Sequence, residues 1–91
     1  MAKKFWERAE FRIEQFVQLF HMVYDLYYNA PYEQTNARAM MHEGERLMQA
    51  AENVPLLKAY VDATGDIFTS DRELAAFAVA YGVYENRYNA A

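Results

Sequence analysis

One apolar stripe constrains this chain more than any other feature. Phe5, Ala9, Ile13, Phe16, Phe20, Val23 and Tyr27 recur at spacings of three and four. A strand would need alternation with period two, so the stripe specifies a helix. Trp6, Val17 and Tyr24 widen it to the breadth of a core-facing surface. Glu7, Glu10, Glu14, Gln18, His21 and Asp25 form the opposite ridge. The pattern predicts one long helix from about Lys3 to Asn29.

Breakers divide the rest of the chain near Pro31, near Pro55 and around Gly65. A second helix is expected from about Thr35 to Glu52, with either Thr35 as its N-cap or Pro31 starting it a turn earlier. Ala37, Met40, Met41, Gly44, Leu47, Met48 and Ala51 make its apolar face, which is small enough near Gly44 for close helix approach. Arg38, His42, Glu45, Arg46 and Gln49 make the other face. The third helix is short, about Val54 to Thr64, with Pro55 in its first turn and Gly65 as its stop. Leu57, Tyr60 and Val61 are expected to face inward. The fourth opens on Ser70-Asp71-Arg72-Glu73, a capping box in which Ser70 and Glu73 each satisfy an orphan backbone donor. Leu74, Phe77, Ala78, Tyr81, Tyr84 and Tyr88 then share one face, and Ala75, Val79, Gly82 and Val83 a second. The fold class expected is all-α: one compact bundle of about four helices over residues 1–91, with a long first and a short third helix.

Composition narrows the function classes. The 91 residues are 54% apolar with a net charge of −4, too apolar and too weakly charged for a disordered chain. There is no cysteine, which removes disulfides, thiolate metal sites and thiol catalysis together. The longest apolar run, Phe16 to Tyr28, is interrupted by Gln18, His21 and Asp25 and falls short of a membrane span. No signal-peptide core follows the N-terminal lysines, so a cytoplasmic location is expected. Lys3, Lys4, Arg8 and Arg12 are interleaved with Glu7, Glu10 and Glu14, unlike the clustered bases of a nucleic-acid binder. A helix-turn-helix could be forced onto residues 53–81, but its second helix offers one arginine near its start, too little for a recognition helix.

The candidate chemistry is sparse. His21 and Asp25 lie at i and i+4 beside Gln18, a spacing suited to a base or a metal ligand pair. A solvated ridge is the simpler account, because no second helix supplies a converging group. His42-Glu43-Gly44-Glu45-Arg46 starts like a zinc-protease helix, but Arg46 stands where the second histidine belongs. Neither histidine follows a glutamate by three, as a helical di-iron site requires. Residues 62–73 place oxygen side chains as an EF-hand loop does, yet Ile67 replaces the turn glycine. No catalytic, metal or cofactor site is therefore expected.

Two features point instead to protein contacts. Beside the main stripe runs an extra seam of Phe11, Leu19, Met22 and Leu26. The eight tyrosines include Tyr28 and Tyr32 flanking the first turn and Tyr84 and Tyr88 near the chain end. Tyrosine carries an apolar body and a polar tip, and is enriched in interface hot spots. The candidate interface is thus Phe11, Leu19, Met22, Leu26, Tyr28, Tyr32, Tyr84 and Tyr88. The expected function is a small module that binds a larger protein and blocks or adapts it, as some phage- and plasmid-encoded inhibitors do. The alternative is a structural subunit whose seam is buried against a copy of itself.

Overall fold

The structure is a computed structural model that describes residues 3–31 and 35–89. It is an all-α bundle. A 3-10 turn at Phe5–Glu7 precedes α1 (Ile13–Asn29), α2 (Ala37–Gln49), a second 3-10 turn at Ala51–Asn53, α3 (Val54–Thr64) and α4 (Asp71–Asn89).

The predicted long first helix is broken. Residues 8–12 are not helical, and Arg12 is extended with φ −126° and ψ 120°. In one continuous helix Phe5 and Phe11, six positions apart, would point about a third of a turn away from each other. The break lets both rings enter the core. Phe5 meets Phe11 at 5.6 Å and Phe16 at 6.1 Å, and Phe11 meets Tyr84 at 5.6 Å. Polar groups hold the break open. The Lys4 amide donates to Glu7 Oε1 at 2.8 Å, and Arg12 Nη1 donates to the Ala9 carbonyl at 2.8 Å.

The central element is α4, packed between α1 and α2. Ala75, Ala76, Phe77 and Ala80 are wholly buried, and Ala78, Tyr81 and Tyr84 nearly so. Its alanines leave room for a neighbour on each side. Against α2 the approach is closest at Gly44, as its small-residue face predicts. A Cβ built there would lie 2.1 Å from the Leu74 carbonyl oxygen. Against α1 the rings interlock: Phe16 contacts Phe77 at 6.0 Å and Tyr84 at 5.6 Å. Arg72, at the start of α4, bonds the Tyr27 carbonyl at the end of α1, while Phe16 near the start of α1 meets Tyr84 toward the end of α4, so these two helices run antiparallel.

The short helix α3 has its expected span, and Gly65 ends it in the left-handed conformation at φ 77°. Its inward face differs from expectation. Leu56 and Tyr60 are buried, Leu57 is half-buried and Val61 is exposed. The helix α2 stops at Gln49, earlier than predicted, and Thr35 lies just outside it, its Oγ1 accepting the Ala37 amide at 3.1 Å. Asn53, wholly buried, closes the junction after α2. Its Nδ2 donates to the Leu47 carbonyl at 2.7 Å and its Oδ1 accepts the Tyr81 hydroxyl at 3.0 Å. Phe68 anchors the α3–α4 connection, 4.4 Å from Tyr60 and 4.7 Å from Phe77.

Candidate functional site: an apolar edge on α1

The extra seam divides when the chain folds. Phe11 precedes α1 and its ring belongs to the core, so it leaves the seam. Leu19 is half-buried against the core. Met22 and Leu26 remain in solvent, 64% and 70% exposed. They lie at i and i+4, so their side chains share one edge of α1. The tyrosines divide likewise. Tyr84 is buried among Phe5, Phe11 and Phe16, which corrects its assignment as a contact residue. Tyr88 is half-buried beside it, with the Arg8 guanidinium 5.4 Å above its ring. Tyr32 lies outside the described residues. Tyr28 is 64% exposed and ends a file of rings that leaves the core through Phe20 and Tyr24, with centroids 6.2 and 6.0 Å apart. By the helical period Tyr28 stands about 200° round the helix from Leu26, on the other edge of the outward face.

The end of α1 that presents this surface is held firmly. Arg72 Nε donates to the Tyr27 carbonyl at 2.8 Å, and Asn29 Nδ2 donates to the Asp25 carbonyl at 2.9 Å. The Tyr27 hydroxyl reaches Asn36 Oδ1, tying the helix to the start of α2. Met22 and Leu26 thus sit on a helix fixed at its C-terminal end rather than on a loop, so little ordering entropy opposes contact there.

The chemical candidates do not converge. Gln18, His21 and Asp25 are all exposed on the outward ridge of α1, and His42 is exposed on α2. Asp62 belongs to α3, while Glu73 is held in the capping box, its Oε1 accepting the Ser70 amide at 3.1 Å. Among the described residues no three His, Asp or Glu side chains group as metal ligands, and no helix is long and apolar enough to cross a membrane. Near Tyr81, midway along α4, four charged groups pair with one another. Lys4 Nζ is 3.0 Å from Glu52, and Arg46 bonds Glu43. The hydrogen bond to Glu52 raises the Lys4 pKa, and that from Arg46 lowers the Glu43 pKa.

Sequence reasoning missed Asn53 and Phe68. Asn53 reads as an ordinary polar residue before Val54-Pro55, and Phe68 as an isolated ring in a loop. Only the folded neighbours reveal their roles. Comparison with family models, with curated proteins and with solved structures found no match.

Proposed function

We propose that this chain is a cytoplasmic protein-interaction module that docks on a larger protein through the Met22–Leu26 edge of α1 and so blocks or adapts it. The exposure of Met22 and Leu26 carries the reading: two large apolar side chains, one turn apart, stand in water on a pinned helix. Full burial of such a side chain is worth roughly 1.5–3 kcal/mol. A partner covering both would recover much of that, with Leu19 at the base of the contact.

The test is the double variant Met22→Glu with Leu26→Glu. Both positions are exposed, so helicity by circular dichroism is expected to match wild type. Pull-down from the native host lysate should capture one protein with wild type and lose it with the variant. A wild-type chain that light scattering shows to be a stable oligomer, dissociated by the same variant, would instead favour the homo-oligomeric subunit. Capture that survives both glutamates would remove this edge from the interface. Leu19 is unsuitable for the test because its packing against the core would confound binding with stability.

A further inference from the structure

A separate cleft lies between α3 and the loop that leads to α4. It is about 160 Å³ in volume and is lined by Met48, Leu57, Tyr60, Val61, Ile67 and Phe68. No polar atom reaches its wall. Its existence follows from the turn at Gly65. The left-handed residue ends α3 and the chain folds back, so that Phe68 enters the core while Ile67, one position earlier, stays at the rim, 61% exposed. The floor is aromatic. Tyr60 and Phe68 lie 4.4 Å apart, and both contact Phe20, at 5.4 and 4.9 Å.

We propose that this cleft is a binding site for an uncharged, single-ring aromatic molecule. Three observations fix the class. The volume resembles that of apolar cavities of about 150 Å³ that hold one benzene. The wall offers no hydrogen-bond partner, so a charged or strongly polar group placed inside would lose its hydration without compensation. The floor rings favour an aromatic occupant over an aliphatic one, because edge-to-face ring contacts add to simple burial. A bound ring would extend the Phe20–Tyr60–Phe68 cluster by one member. The proposal is independent of the α1 edge.

The test is titration of the whole chain with benzene, followed by methyl-resolved NMR, with cyclohexane as the matched aliphatic probe. Benzene is expected to give saturable ring-current shifts at Met48, Leu57, Val61 and Ile67, and cyclohexane weaker binding. Ile67→Ala shortens an exposed rim residue and should weaken benzene by at least about fourfold, the equivalent of one lost methylene contact. Val61→Phe should fill the cleft and abolish binding. If Val61→Phe perturbs the fold, Ile67→Ala still decides. Shifts that do not saturate, or that are equally large at the exposed methyls of Met22 and Leu26, would overturn the site. Equal affinity for cyclohexane would overturn the aromatic assignment.

Discussion

Gly44 and Gly82 are the same residue in opposite circumstances. A Cβ at Gly44 would meet the Leu74 carbonyl oxygen at 2.1 Å, a backbone atom that no side-chain rotation can move. A Cβ at Gly82 meets nothing within 4 Å. Gly44→Ala is therefore expected to separate α2 from α4 and destabilise by at least the usual ~1–3 kcal/mol of overpacking, despite alanine's better helix propensity. Gly82→Ala should stabilise by about 0.5–1 kcal/mol, the ordinary gain inside a helix. Urea midpoints for the two variants check both signs. Asn53 is a residue-scale case of a different kind. It bridges the end of α2 to α4 through the Leu47 carbonyl and the Tyr81 hydroxyl. Asn53→Ala strands the Tyr81 hydroxyl, at about 1–3 kcal/mol where burial persists, and takes one of two bonds from the Leu47 carbonyl, which keeps the Ala50 amide at 3.3 Å. Tyr81→Phe strands only Oδ1 of Asn53 and should cost less. Equal losses in the two variants would mean that the Leu47 bond contributes nothing.

At the scale of the element, α4 depends on its first turn. Ser70 Oγ accepts the Glu73 amide at 3.2 Å, while Glu73 Oε1 accepts the Ser70 amide at 3.1 Å. Ser70→Ala removes one of these bonds and is expected to cost about 0.5–2 kcal/mol. Hydrogen exchange should show the loss as faster exchange at the Glu73 amide. An unchanged midpoint and exchange rate would place the start of α4 elsewhere. This capping box, the Gly65 stop and the span of α3 were legible in the sequence because each is decided by residues within a turn of one another. The Gly44 approach was legible for a related reason: a small residue on an apolar face has few other uses. The break at residues 8–12 was not legible. Locally Phe5 to Ile13 satisfy a helix period, and only the benefit of placing Phe5 and Phe11 in one core overrides it. The inward turn of Leu56 rather than Leu57 is the same kind of miss. Two adjacent leucines look alike until the assembled core fixes which one is covered. The candidate interface divided along this line as well. Spacing identified the apolar seam on α1, but not which members the core would take.

At the scale of the whole molecule, the core is largely a network of rings, and several carry a phenol. Tyr60, Tyr81 and Tyr84 are almost completely buried. Burial penalises the phenolate and raises the pKa of each above the ordinary value of 10.0. Tyr27 is shifted the same way by the same cause. The consequence for stability has a definite sign. Below about pH 10 these phenols are neutral in both folded and unfolded chains, so they add no pH dependence. Above it the unfolded chain loses protons first, and stability falls as the pH rises toward the folded pKa values. Each shifted tyrosine steepens that fall by up to about 1.4 kcal/mol per pH unit. The bundle is therefore expected to unfold cooperatively in alkali, with ionisation of Tyr60, Tyr81 and Tyr84 and loss of helicity appearing together. Tyr60→Phe removes one titrating group, and the alkaline limb should become shallower by about one proton. The absorbance of Tyr60 itself is the difference between wild type and Tyr60→Phe; a difference that rises near pH 10 while the helices persist would mean that water reaches this buried ring, and the packing of α1, α3 and α4 around it would have to be redrawn.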